Sequence, residues 1–309
     1  MEITSAIEEY LGSKQNSITR KTYEWYALFL SKFDDWCKEQ GLTDLTQITT
    51  LHIQRFVAAA PTNNTNTRHH RAQIVKGFLT WCSRDEDLGV REKMVRRIEM
   101  PKVEQPDIEI YTSAEISKLF RACEKMKHPH RNRAIIHMLL DTGVRASELC
   151  FDGERPEEET GLRMENLILG RGDESFIRVM GKGRKVRTVG LGQETTQALR
   201  KYLNRERGHS DCPYVFLSRD GEPLSKRMLQ QLLNELGGLA GVKNCHAHRF
   251  RHTFAISQLV NGTSDLVLMK LLGHTTLDST KIYARAMSQI QARKAASSVV
   301  DTMRRRKQK

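Results

Sequence analysis

The 309-residue chain has no CxxC pair, no run of eighteen apolar residues and no positively charged N-terminal segment leading into an apolar one. These absences argue against a paired-cysteine metal or redox motif, a membrane-spanning helix and a secretory signal, respectively. The six cysteines, Cys37, Cys82, Cys123, Cys150, Cys212 and Cys245, are scattered. They read as reduced thiols, and the expected location is the cytoplasm with no membrane partner. A phosphate-cradling GxxxxGK[ST] loop is missing, and no helix carries HExxH, so neither ATP nor a metal ion is an expected cofactor.

What the chain has in excess is positive charge: 50 Lys and Arg stand against 37 Asp and Glu, for a formal net charge of +13. Residues 1–100 are almost balanced, with 14 cations against 13 anions, so nearly all of the excess falls in the rest. A lysine or arginine placed on a phosphate releases condensed counterions, which makes nucleic acid the leading partner and an anionic membrane surface the second.

The first hundred residues read as helices. In "SITRKTYEWYALFLSKFDDWCKEQG", Tyr23, Tyr26, Phe29, Leu30, Phe33 and Trp36 recur at three-to-four spacing, with Gly41 as the stop. Thr46 or Thr49 can cap a short helix carrying Ile53, Phe56 and Val57. From Pro61 to Arg84 there is no acidic residue, and the helix expected there offers Arg68, Arg71 and Lys76 as a surface for tracking a DNA backbone.

Pro101 and Pro106 interrupt the periodicity, and Thr112 or Ser113 with Glu115 resembles a helix start. The expected division is therefore residues 1–100, a linker over 101–110, and a second domain over 111–309. In the latter, "RNRAIIHMLLDTGVRASELC" reads as an apolar helix broken at Gly143, and "SFIRVMGKGRKVRTVGL" as two short strands around a glycine-flanked turn. Residues 151–161, with five acids against one arginine, read as an exposed loop without catalytic work.

Breaking a DNA phosphodiester without metal or ATP requires a nucleophile, cations around the non-bridging oxygens and an acid for the leaving oxygen. The second domain has a candidate for each. Arg145, at a helix start with Glu148 three residues on, has a fork that suits two phosphate oxygens. Lys182, at the tip of "GKGRK", can deliver a proton, with Lys185 as its rival. In "CHAHRFRHTFA", His246 with Arg249 and His248 with Arg251 share one spacing, but a helix turns about 200° over two residues, so both pairs cannot face one phosphate. Cys245, His246, His248 and His252 could be read as a zinc cluster, but no second ligand pair lies at structural-zinc spacing. His274 follows Gly273, a helix stop, and Tyr283 lies nine residues later; a nucleophilic phenol would need nearby cations and a proton acceptor.

In order, "TGVRASEL", "GKGRKVR", "HAHRFRHTFA" and "LLGHTTLDSTKIYAR" resemble the signature segments of the tyrosine recombinases, the lambda-integrase family of site-specific DNA recombinases. The resemblance implies a mainly α fold with a small β-sheet, in which an N-terminal helical core-binding (SAM-like) domain precedes a mixed α/β catalytic domain. By position it makes Arg145, Lys182, His248, Arg251, His274 and Tyr283 the catalytic set and Glu148 a supporting acid, with His252 structural. "RHTFA" selects the second histidine–arginine register. It implies cleavage through a 3′-phosphotyrosyl intermediate on double-stranded DNA sites, without cofactors, by a homotetramer in which the segment after Tyr283 docks on a neighbour. Phe250, where a leucine is usual, and the acidic stretch 151–161 depart from the pattern. The compact length resembles Xer-type or mobile-element recombinases, without the arm-binding domain of larger phage integrases.

Overall fold

The computed structural model describes residues 1–60, 64–103, 107–153, 160–171, 174–181 and 185–295. The chain forms two compact units, Met1–Pro106 and Asp107–Lys309.

The first unit is helical, built from α1 (Ile3–Lys14), α2 (Arg20–Glu39), α3 (Thr50–Ala58), α4 (Thr65–Cys82) and the short α5 (Glu92–Arg96). Local signals set the ends. Thr19 caps α2 by accepting from the Thr22 amide, and Thr49 caps α3 in a reciprocal pair with His52. Leu30 and Phe33 of α2 meet Ile53 and Phe56 of α3 and Val75, Phe78 and Leu79 of α4 in one core. α1 adds Ile3, Ala6, Ile7 and Tyr10 to that core.

The basic face expected on α4 needs correction. Arg71 is only 7% exposed, with its guanidinium 4.0 Å from the centre of the Phe56 ring. It stands three, four and seven residues before Ile74, Val75 and Phe78, so helical periodicity places it in the apolar stripe. Lys76 is half-buried and donates to the Ile98 carbonyl at 2.9 Å. Arg68 is also half-buried.

The second unit contains α6 (Ser113–Cys123), α7 (Pro129–Thr142), α8 (Ala146–Leu149), a sheet of β1 (Leu167–Ile168), β2 (Phe176–Met180) and β3 (Val186–Gly190), and then α9 (Gln193–Tyr202), α10 (Lys226–Ala240), α11 (Ala247–Val260), α12 (Asp265–Leu272) and α13 (Asp278–Ala295). Thr112 and Glu115 form the expected capping box at α6. β2 and β3 form the expected antiparallel hairpin, pairing Ile177 with Val189 and Val179 with Arg187. The two-residue β1 adds a third strand too short to announce itself by alternation.

Two cores stabilise this unit. One packs Ile135, Leu139, Leu199, Leu233 and Phe250 from α7, α9, α10 and α11 together with Ile177 of the sheet. The other lies between α11, α12 and α13 and includes Phe254, Leu268, Leu272 and Tyr283. The ends of the acidic 151–161 stretch are anchored, not solvated: Asp152 is buried and paired with Lys226 at 2.5 Å, and Thr160 is buried. Its centre, residues 154–159, lies outside the described residues, as do Lys182 and the tail from 296 onwards.

Candidate active site

The end of α7 begins the site. Gly143 adopts φ +58, a conformation that costs glycine least, and a Cβ there would sit 2.3 Å from Phe254 Cδ1. The chain can therefore turn sharply and pass close to α11, delivering Arg145 as the N-cap residue of α8. Glu148, one turn on, accepts from the Arg145 amide at 2.8 Å and from Arg145 Nη1 at 2.9 Å. That one-sided grip leaves Arg145 Nε and Nη2 without a protein acceptor among the described residues, on a side chain 36% exposed.

Glu148 is shared. Arg187 of β3 donates Nη1 and Nη2 to its two oxygens at 2.8 and 2.7 Å, a bidentate pair. Burial alone would raise the Glu148 pKa, but the bonds and charge of Arg187, with those of Arg145, outweigh it and hold the carboxyl below its ordinary range. The sequence pattern does not single out Arg187. Its position in "GKGRKVR" was visible, but in a strongly basic hairpin nothing local distinguished it from Arg184 or Lys185.

Arg251, on α11, is 2% exposed and donates Nη1 to the Gly143 carbonyl and Nη2 to the Leu272 carbonyl, both at 2.7 Å. These are carbonyls at the C-terminal ends of α7 and α12, which have no partner in the helical ladder and carry partial negative charge. Arg187 Nε donates to Leu271 at 2.8 Å and Arg145 Nη1 reaches Leu272 at 3.4 Å, so three arginines converge on the end of α12. Burial, with Arg145 nearby, lowers the Arg251 pKa to about 10, leaving it charged at neutral pH.

Gly273, at φ +63, ends α12 and places His274 beside this cluster. His274 Nε2 lies 3.0 Å from Arg251 Nη2, and Nδ1 lies 2.9 Å from Thr280 Oγ1. A guanidinium can only donate, so Nε2 accepts and the ring proton sits on Nδ1, directed at Thr280. Burial, then the charges of Arg251, Arg145 and Arg187, push the His274 pKa down to about 4.

Tyr283, on the first turns of α13, is 2% exposed. Its ring stacks on His274 at 6.2 Å between centroids and an angle of 10°. Its hydroxyl lies 3.2 Å from His252 Nδ1. Burial raises the phenol pKa and the charges of Arg251 and Arg145 oppose the rise without cancelling it. His248 is the most open of the group; desolvation and the charge of Arg251 lower its pKa, and its ring meets that of His252 edge-on at 4.3 Å.

Arg145, Glu148, Arg251, His274 and Tyr283 are thus brought into one network, with His248 at its edge through His252. Lys182 lies outside the described residues; Lys185 is exposed, and its carbonyl accepts from Gly181 to close the hairpin. The alternative pair is occupied elsewhere. His246 caps α11, and Arg249 donates to Glu115 at 2.9 Å and to the carbonyls of Lys243 and Ile110 while stacking on Tyr111. Among the described residues no three His, Cys, Asp or Glu side chains are grouped to hold a metal ion, and no helix is long and apolar enough to cross a membrane.

Residues 109–289 match the model of the phage integrase family. The tyrosine recombinase XerC of Bacillus licheniformis is 28% identical over 286 residues, 89% of this chain and 88% of that protein. Among solved structures, the XerH site-specific recombinase bound to palindromic difH substrate, a post-cleavage complex, shares 20% identity at a TM-score of 0.70, covering 94% of this chain and 83% of that one. A lambda integrase dimer bound to a COC′ core site shares 17% identity at a TM-score of 0.70, covering 92% and 77%. At these identities the two structures speak for the fold.

Proposed function

The chain belongs to the phage integrase family, the tyrosine recombinases of the lambda-integrase type, and from that premise we propose that Tyr283 is the nucleophile with which it breaks and rejoins DNA at specific sites. The observation that carries the assignment is the convergence of Arg145, Arg251 and His274, from the start of α8, α11 and the end of α12, on the Tyr283 side chain of α13. Cations and polar hydrogens preset around one phenol are what a phosphoryl transfer needs, because charge on the non-bridging oxygens must be matched as the transition state forms.

In this reading Tyr283 Oη attacks the scissile phosphorus, the bond to the 5′ oxygen breaks, and a 3′-phosphotyrosyl ester results. Arg145, whose Nε and Nη2 are unspent, and Arg251 hold the non-bridging oxygens. His274 joins them in its other tautomer: Nδ1 accepts from the Thr280 hydroxyl, and Nε2, now carrying the ring proton, donates to a phosphate oxygen in place of its contact with Arg251. Lys182 gives a proton to the leaving oxygen, and His248 assists proton handling at the open side. Glu148 keeps Arg145 aimed without touching DNA. A 5′ hydroxyl from the partner strand then attacks the phosphotyrosine and releases Tyr283. One phosphoester replaces another, so the energy of the bond is conserved.

Residues 1–100 act as the core-binding DNA module and 111–309 as the catalytic one, joined over 101–110. Half-buried Arg68 and Lys76 and exposed Lys185 supply phosphate contacts; Arg71, in the core, does not. Four protomers assemble on two double-stranded sites, in the compartment that holds the DNA. The test is a nicked suicide substrate carrying a site selected by binding from a random pool. Wild-type protein is expected to become covalently joined to DNA at Tyr283, and Tyr283→Phe to give no adduct. An adduct formed by Tyr283→Phe overturns the assignment.

A further inference from the structure

Attack by Tyr283 requires that its phenolic proton go somewhere, and the geometry of α11 supplies an acceptor outside the set just assigned. His252 follows Arg251, one position beyond the histidine–arginine pair, and its sequence position gave it no task in the chemistry. In the fold its Nδ1 lies 3.2 Å from Tyr283 Oη, and the two rings meet edge-to-face at 5.5 Å. The contact joins residues 31 positions apart on two helices that share a core.

We propose that His252 is a catalytic residue that takes the phenolic proton of Tyr283 during strand cleavage and returns it during rejoining. This rests on Tyr283 being the nucleophile. A phenol donates its single proton along its hydrogen bond, and a neutral imidazole protonated at Nε2 presents Nδ1 as the acceptor. His252 is suited to that state because burial first, and then His248, His246 and Arg251, push its pKa down to about 4. It is therefore unprotonated at neutral pH while it waits. An incoming phosphodiester brings negative charge to the cations that depress the imidazole, which raises its basicity as the reaction begins.

The atoms balance. The Tyr283 O–H bond breaks and its proton passes to His252 Nδ1, while the Tyr283 O–P bond forms. The P–O5′ bond breaks, and the leaving oxygen takes a proton from the acid assigned to Lys182. In rejoining, the attacking 5′ hydroxyl gives its proton back to that lysine and the departing phenolate recovers its own from His252. His274 cannot take this part, because Thr280 occupies its Nδ1, and Arg251 or the phosphate oxygen its Nε2.

A purely structural histidine would hold the phenol equally well as an amide, so the test uses His252→Gln, with His252→Asn as a second variant, in the full chain on the suicide substrate. A general base contributes about 100-fold or more. The expected result is a single-turnover cleavage rate lowered by about that factor with DNA affinity unchanged. A substrate whose leaving 5′ oxygen is replaced by sulfur departs without a proton. It should restore Lys182→Ala and leave His252→Gln slow, whereas fluorotyrosine at position 283, a more acidic phenol, should recover part of the rate. Cleavage within about threefold of wild type in either variant, or rescue of His252→Gln by the sulfur substrate, overturns the proposal. Independently of any variant, imidazole ¹⁵N spectra of the wild-type protein should show His252 protonated at Nε2; a proton fixed on Nδ1 overturns it. An adduct in Tyr283→Phe would instead overturn the nucleophile, so the two failures are distinguishable.

Discussion

Glu148 is the residue that lets three arginines occupy one small volume. Its carboxylate takes Arg145 on one side and both Nη donors of Arg187 on the other, while Arg251 is matched by two helix-end carbonyls. The histidines lose basicity chiefly through burial, and neighbouring positive charge adds to the effect. His252 and His274 each have an ordinary pKa of 6.5 and fall to about 4 in the fold, and His137, His246 and His248 shift in the same direction. A histidine with a depressed folded pKa is held neutral in the native state. Between about pH 6.5 and 4 the unfolded chain binds protons that the folded chain refuses, so stability is full above pH 6.5 and is lost as the pH falls through that window. Calorimetry at pH 7, 5.5 and 4.5 should show a falling midpoint. A His252→Gln/His274→Gln double variant should flatten the fall; an unchanged slope would count against the shifts.

At the scale of elements, two glycine stops shape the site. Gly143 ends α7 and Gly273 ends α12, both with left-handed backbone, and the carbonyls exposed there hold Arg251. Only a residue without a side chain lets α7 finish against Phe254 and reverse into α8. Gly143→Ala combines a left-handed conformation with a Cβ 2.3 Å from an aromatic carbon. It should cost roughly 1–3 kcal/mol in denaturant unfolding, and it should lower cleavage more than DNA binding, because Arg145 and the Gly143 carbonyl move together. Stability equal to wild type would mean that this turn is not under constraint. Both stops were visible in "DTGVR" and "LLGH", as were the α6 capping box and the β2–β3 hairpin, because all are decided within a few residues.

At the scale of the molecule, charge and fold divide the labour. Residues 1–100 carry almost balanced charge, and the excess lies beyond them, in the sequence that also holds the reactive network. A protein that neutralises 6–10 phosphates loses about 10³- to 10⁵-fold in affinity between 50 and 200 mM salt. Fluorescence anisotropy on duplex DNA should show such a steep, linear dependence of log affinity on log salt. A change of less than about tenfold would contradict a phosphate-dominated interface. The absence of acids is a poor guide to which cations are exposed: Arg71 lies on an acid-free helix, yet its spacing to Ile74, Val75 and Phe78 puts it in the buried stripe.

The order of Arg145, Lys182, His248, Arg251, His274 and Tyr283 along the chain, the helix caps and stops, the hairpin and the family were determined by the sequence itself. Each depends on residue identity at short spacing or on a linear pattern. The tertiary structure decided what those residues touch. Arg187 meets Glu148 across 39 positions and His252 meets Tyr283 across 31, and no periodicity extends over such intervals. It also separated two equally spaced histidine–arginine pairs, committing Arg249 to Glu115 and Arg251 to the ends of α7 and α12. The physical reason is that side-chain partners across elements are set by how helices and sheet pack, and packing depends on all the buried surfaces at once.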